Sequence, residues 1–422
     1  MRRVKFIFYQ ILLIPLTILF SNCHSNQSKY ETSLNIYKEV NAPVVLALKP
    51  SSQIAMFSSL GSFDSLIFLD TTEVIGKIDK IQIEKGNIYI MDEGKAKGLF
   101  CFTMDGKLKW KYGLQGHGPG EFINLGDFQV RDDKIYLFDN IGFKILQLDT
   151  SGKMTTYFRT PKQAGFYPCN IYIDDNHKVV LYGMDMGDYK SFPYEMVVMD
   201  SACRQMQSFH FSKTQNPSVE RWRFSESSIQ PFNHNNGFYF TKAMTDTIYN
   251  FSSGAFGRKY AVDFGDYKIP SKMRRSQNFS LTDFFKSQYC GDIQQIFEND
   301  SLLTFRFQQG GNPNFVFLDK STLQNKIYRT ILVDFNKQFN TLNIIGSWNN
   351  KFIIAIEPLS LVQSYKLFAK QNPGKSDAEL DAMLWKDAPV FNKMLHRVNM
   401  NSNPILLFLS ISKKQIFDNA KK

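Results

Sequence analysis

From Leu66 almost to its end, the chain repeats one pattern: a short run in which apolar side chains alternate or cluster, a turn signal, then another such run. Runs of this length, rich in Ile, Val, Tyr and Phe, predict short β-strands. The clearest are GNIYIMD, DKIYLFD, HKVVLYG, GFYFTKA, SLLTFRF and KFIIAIE, centred on Ile88, Ile135, Val179, Phe238, Leu302 and Phe352. Their spacings of 47, 44, 59, 64 and 50 residues each hold four short strands, and the longer intervals carry loops or insertions. The pattern predicts an all-β chain, a six-bladed β-propeller of four-stranded antiparallel blades, whose radial repetition leaves only short unpaired edges. A ring of this kind must close. The terminal run NPILLFLSI, Asn403 to Ile411, is too short to span a membrane and suits a buried strand, with Leu66 to Leu69 as its closing partner.

Turn residues punctuate the units. Asp105-Gly106 predicts a hairpin between Leu99–Met104 and Lys107–Tyr112, with positive φ angles in a tight two-residue turn. Asp149 to Lys153, Asp200-Ser201 and Asp319 to Ser321 occupy the equivalent place between the outer strands of their units, and in the fourth unit Asp246 to Phe251 forms the third strand. The segment GLQGHGPGEF, Gly113 to Phe122, holds four glycines and a proline and predicts a shaped loop between the first two blades.

Some stretches break the strand rhythm. Val44 to Leu48 predicts a strand, Gln53 to Leu60 a short helix, and Ser280 to Gln288 another. Leu361 to Lys370 and Ser376 to Trp385 predict two helices inside the last blade, the second opening on a Ser N-cap with Glu379 three residues on. The expected organisation is a signal peptide over 1–22, a tether over 23–43, a propeller over 44–417 with a helical insertion at about 361–397, and a tail over 418–422.

Arg2, Arg3 and Lys5, an apolar stretch of fifteen residues from Phe6 to Phe20, and then Ser21-Asn22-Cys23 form a targeting segment. A cysteine directly after the apolar stretch resembles the processing site of bacterial lipoproteins, which implies lipidation at Cys23. Asn22 and Phe20 depart from the usual small and aliphatic residues, so ordinary cleavage and a retained anchor stay open. Without residues 1–22 the formal charge falls from +11 to +8, by the three charges of Arg2, Arg3 and Lys5. The remaining basic residues are scattered, which fits a solvated surface and argues against nucleic acid. The chain lacks an acidic run after Cys23 of the sort associated with surface display, so the expected location is the cell envelope, facing the periplasm. Cys101, Cys169, Cys203 and Cys290 form no CxxC pair and no Cys/His cluster, and they are expected as free thiols with no metal or cofactor.

The pieces IGKIDKI (Ile75 to Ile81), IYIMD (Ile88 to Asp92), GHGPGEF (Gly116 to Phe122), IYLFD (Ile135 to Asp139), DTIY (Asp246 to Tyr249), VDFGDYKIP (Val262 to Pro270) and NPILLF (Asn403 to Phe408) resemble the six-bladed β-propeller lipoproteins of Bacteroidota, relatives of NHL-repeat proteins. The resemblance runs from about residue 40 to 415. It implies an exported propeller and transfers no activity, because its motifs are mostly turn and packing residues.

Candidate binding residues are loop side chains. His117 sits in the glycine loop with Glu121 four residues on; the plainer role is a solvated His117 and a Glu121 that caps a backbone amine. Arg221, Trp222 and Arg223 crowd into ERWRF, where arginine and tryptophan together stack on a sugar or clamp a carboxylate, or else anchor a folded-back loop. Tyr167 and Trp348 are further loop aromatics. Asp92 and Asp139 either converge on the channel or cap turns. HExxH and GxSxG are absent, and the glycine loop lacks the Lys-Ser/Thr of a P-loop. The expected function is therefore a binding or interaction module for a glycan, peptide or envelope protein, anchored to a membrane by lipid. The alternatives are a metal-dependent hydrolase or lyase in the axial funnel and a structural subunit of an envelope complex.

Overall fold

A computed structural model describes residues 38–40, 43–160, 166–185, 196–209, 230–231, 237–241, 245–252, 255–274, 279–333, 340–384 and 398–418. Six antiparallel sheets form a six-bladed propeller. Blade 1 is built from Lys80–Glu84, Asn87–Asp92, Gly98–Thr103 and Leu108–Tyr112, and blade 2 from Leu125–Arg131, Lys134–Asp139, Lys144–Asp149 and Met154–Arg159. Blade 3 holds Phe166–Ile173, Val179–Asp185, Met196–Met199 and Gln205–Phe209, and blade 4 Gln230–Pro231, Gly237–Thr241, Thr247–Ser252 and Ala255–Asp263. Blade 5 holds Cys290–Glu298, Leu302–Gln309, Asn312–Asp319 and Asn325–Tyr328. Blade 6 takes Ile344–Trp348, Lys351–Ile356 and Ile405–Ile411 from the end of the chain and Gly61–Phe68 from its beginning. All six apolar runs that define the repeat are second strands.

The second strands are apolar on both faces because each blade is packed on both sides. In blade 1, Ile88 and Ile90 face blade 6, against Ile353, Leu406 and Phe408, while Tyr89 and Met91 face blade 2, against Phe128, Leu137 and Leu146. Successive strand residues point to opposite sides, so a run such as IYIM feeds two cores at once. Further seams join blades 2 and 3, 3 and 4, 4 and 5, and 5 and 6. Cys101, Cys203 and Cys290 are free and buried in these seams, and burial pushes their thiols up to about 11, 12 and 12.

Closure joins residues far apart in sequence. Leu66 pairs with Leu407 and Phe68 with Ile405, so the expected partner strand is present and longer than expected. Asn403 holds the corner beside it. Its Oδ1 accepts from Ile75 N at 2.7 Å, and its Nδ2 donates to the carbonyls of Asp70 and Glu73 at 2.6 and 2.7 Å. Upstream, Lys38–Val40 and Val44–Ala47 lie parallel to the last strand of blade 4, so three residues of the expected tether belong to a sheet.

Two expectations are corrected. Gln53 to Leu60 is not a helix: Ile54–Met56 is a strand pairing parallel with Thr330–Val333, and only Phe57–Ser59 turns helically, as a 3₁₀ turn. Pairing with a distant strand outweighs a weak local helix preference. The Asp105-Gly106 turn is also not a two-residue loop. Gly106 N donates to Thr103 O and Thr103 N to Lys107 O, only Gly106 has positive φ (85°), and the register shifts beside it. That is a longer turn closed by a bulge, with glycine at the left-handed position. The same bonds recur at Asp149 with Gly152, Asp174 with His177 and Asp200 with Cys203. At each, the Asp carboxylate accepts amides two and four residues on. The helices expected near 361–370 and 376–385 are present as Pro358–Gln371 and Asp377–Leu384, the latter with its Ser376–Glu379 capping box. Ser280 and Asp283 likewise cap Leu281–Phe285.

Side chains stitch the inner strands of blades 1 to 3. Gln82 exchanges two bonds with the backbone of Val130 (2.7 and 2.9 Å), and Gln129 does the same with Ile173 (3.2 and 2.5 Å), so a side-chain amide stands in for strand pairing where blades diverge. Beside them Lys80 and Asp127, 3% and 1% exposed, form an ion pair at 2.7 Å, and Asp127 also accepts from Ile171 N at 2.9 Å. Asp127→Ala would leave the Lys80 ammonium buried alone, and is expected to cost about 3–5 kcal/mol in urea unfolding. Adding Lys80→Met should restore part of that loss; a single Asp127→Ala change within about 1 kcal/mol of the parent would contradict this account.

Candidate functional site

Antiparallel alternation decides which connections share a face. First and third strands run away from one face of the ring and second and fourth strands return to it, so links between blades and links between second and third strands gather there. The glycine loop and the insertion after Ile356 both lie on this face.

The glycine loop is folded onto itself. Gly116 N donates to Phe122 O at 3.0 Å and Phe122 N to Leu114 O at 2.9 Å, while Gly118 N donates to Glu121 Oε2 at 2.8 Å. Gly116 sits at φ 151°, and a Cβ there would stand 2.0 Å from the Glu121 carboxylate. Phe122 is buried beside Tyr112, whose hydroxyl donates to Gly120 O. The GPGEF motif is thus a structural unit, and Glu121 has the backbone-capping role. His117 is left exposed at its outer edge.

Blade 2 supports the loop from beneath. Lys144 Nζ donates to Gly118 O at 2.9 Å, and Asp139 accepts from Ile123 N, Asn124 N and Gly142 N at 2.9, 3.1 and 2.7 Å. Asp92 repeats this in blade 1, accepting from Gly76, Lys77 and Lys95. Burial works to raise its pKa, yet the amides of Lys95, Gly76, Ala96 and Lys77 hold it below the usual carboxylate range. Both aspartates cap backbone, as the plainer reading had it.

Between loop and blade lies a cavity of about 310 Å³ walled by His117, Gly118, Pro119, Ile123, Ile141, Gly142, Lys144, Tyr157 and Arg159. Of the sequence candidates it takes His117. Tyr167 lies in the first strand of blade 3, its backbone paired with Met184. Arg221, Trp222, Arg223 and Cys23 lie outside the described residues. Trp348 packs edge-on to Phe408 before the Asn349-Asn350 turn, a rim contact on the other face. Lys144, Tyr157 and Arg159 were missed because each reads as an ordinary strand residue; only register brings them together.

A second unusual group lies in blade 5, on its innermost strand. Cys290–Glu298 loses register twice, and Asp292 and Gln295 both adopt positive φ, 55° and 51°. Asp292 is 7% exposed; Gln294 donates to one of its oxygens, while Oδ1 has no partner among the described residues. Burial pushes it up to about 6, against the opposing Gln294 hydrogen bond. Among the described residues no three His, Cys, Asp or Glu side chains group closely enough to hold a metal.

A family model matches residues 42–410. The chain belongs to the DUF4934 family, a domain of unknown function. No curated protein matches it. Among solved structures, a Bacteroides fragilis protein named as exported is 20% identical, with TM-score 0.65 over 88% of this chain and 100% of that one, a likeness of fold. A DUF4221 member from Bacteroides vulgatus gives 9% identity and TM-score 0.47 over 84% and 98%, and a streptogramin B lyase 12% and 0.40 over 68% and 79%. In the described residues of this DUF4934 chain, no helix is long and apolar enough to cross a membrane.

Asp292 gives a pH test. Its folded-state pKa lies above the ordinary 3.8, so the folded protein keeps this proton longer than the unfolded chain does. The stability it contributes is complete below about pH 4 and lost as pH rises through about 6, on the order of 2–3 kcal/mol. Asp292→Asn, whose side chain tolerates positive φ, should raise the urea midpoint at pH 7.5 and leave it unchanged at pH 4. An equal shift at both pH values would show that ionisation is not the cause.

Proposed function

We propose that this protein is an exported, lipid-anchored binding module of the cell envelope, facing the periplasm, that captures a glycan, peptide or envelope protein on the face bearing the inter-blade loops. The observation that carries this reading is the asymmetry of the ring. On one face the strands of blades 1, 2 and 6 are joined by tight turns, such as Lys85-Gly86, Asp132-Asp133 and Asn349-Asn350. The other face holds the glycine loop, its cavity and the inserted helices. A rigid scaffold with irregular chain concentrated on one side is the usual arrangement of a binding surface. A hydrolase or lyase in the axial funnel is the second reading, favoured by Asp292, a buried inner-strand carboxylate pushed up to about 6.

Immobilised chain beginning at residue 24 is expected to retain ligands from glycan and peptide arrays, and Arg159→Glu on the loop face should lower that signal while Lys85→Glu on the opposite face should not. Turnover of a lactone or ester by a protein that retains nothing would favour the enzyme instead. In cells, Cys23→Ala is expected to move the protein from the membrane fraction to the soluble one; an unchanged membrane fraction would exclude a lipid anchor at this residue.

A further inference from the structure

Resting on the binding reading above, we propose that the cavity between the glycine loop and blade 2 is an oxyanion site, built for a carboxylate or phosphate carried by a sugar-sized ligand. Register makes the case. Lys144 pairs directly with Arg159 on the neighbouring strand, so two cations project from one face of the sheet at adjacent positions. Like charges directly opposite repel, and an anion bound beside both would relieve that repulsion. One nearby carboxylate, Asp139, already offsets the buried Lys144 as a long ion pair, so the charge left for a ligand to meet is that of Arg159. Asp139, 3.9 Å from Lys144 Nζ, accepts three backbone amides, and Glu121 is turned back onto Gly118 N. Among the described residues no carboxylate pairs with Arg159.

The two cations have different duties. Lys144 is buried and fixed by its bond to Gly118 O, so it contributes a set charge, offset by Asp139, at the cavity floor. Arg159 is exposed, and its planar fork suits bidentate contact with an oxyanion. Tyr157, two residues before Arg159 on the same side of the strand, and His117 on the loop add a hydroxyl and an imidazole to the wall. Gly142 lets the Asp139 carboxylate close in beneath the wall, because a Cβ there would stand 2.0 Å from it. A volume of about 310 Å³ admits a single ring with its charged substituent rather than a folded macromolecule.

The test is calorimetric titration of the chain from residue 24 with glucuronate, glucose 6-phosphate and glucose, at low and at physiological salt. At least one of the two anions should bind with salt-dependent affinity and glucose should not, and the anion preferred distinguishes carboxylate from phosphate. Arg159→Gln, at an exposed position, should weaken that binding by about tenfold or more without altering the unfolding midpoint. Anion binding unaffected by Arg159→Gln, glucose binding as tightly as the anions, or no binding of either anion would overturn the proposal. A protein that ignores both anions yet is retained on neutral glycans or peptides would keep the binding reading and lose this one.

Discussion

Everything in this fold depends on closing the ring with Gly61–Phe68 against Ile405–Ile411. A linear stack of blades would leave two faces as apolar as Ile88/Ile90 and Ile353/Phe408 open to water, and closure buries them against each other. The entropy cost of joining residues more than 300 positions apart rises only logarithmically with loop length, whereas a whole inter-blade seam is gained. Closure is reinforced from both sides. Asn403 pins the backbone between the closing strand and blade 1, and the segment before Gly61 touches blades 4 and 5 on its way, through Val44–Ala47, Ser51 N to Asn314 and Arg329 N to Gln53 O.

With the ring closed, the inner strands face a geometric difficulty. Blades radiate, so strands of neighbouring blades are too splayed for a continuous ladder, yet their backbone groups near the axis are shielded from water. Gln82 and Gln129 solve this by extending a side-chain amide across the gap, with donor and acceptor spaced as in backbone. Lys80 and Asp127 do it with charge, and only because Asp127 has further donors to satisfy it. Blade 5 departs from this order: its bulged inner strand places Asp292 where burial opposes its ionisation, a local cost that the surrounding seams sustain.

The blades were legible because a strand buried on both faces must be apolar almost throughout, and IYIM or IYLF leaves little alternative. Turn positions were legible for a similar reason, through Asp and Gly, although the bulge at Gly106 was not: the two-residue loop and the bulged turn use the same dipeptide, and cross-strand register decides between them. Ile54–Met56 was hidden because its strand identity comes from Thr330–Val333, far along the chain. The site was only half visible. Gly116, Gly118 and Glu121 signalled a shaped loop since their chemistry is local, whereas Lys144 and Arg159, fifteen residues apart in sequence, become neighbours only through the hairpin that pairs them.

That contrast bears on where function resides in a repeated fold. Residues answering to the repeat, such as Asp92 and Asp139, carry the same backbone-capping duty in successive blades, and their recurrence marks them as scaffold. Function is more readily sought where equivalent positions differ. The place of Lys144 in blade 2 is taken in blade 1 by Gly98, beside Asp92, where a Cβ would stand 2.8 Å from Tyr112 O. Blade 1 therefore has the same aspartate cap without the lysine, and the place of Arg159 falls to Gly113, the residue after Tyr112. Of these two blades only blade 2 has the cation pair, beneath the glycine loop, and folding the repeat does not by itself require it.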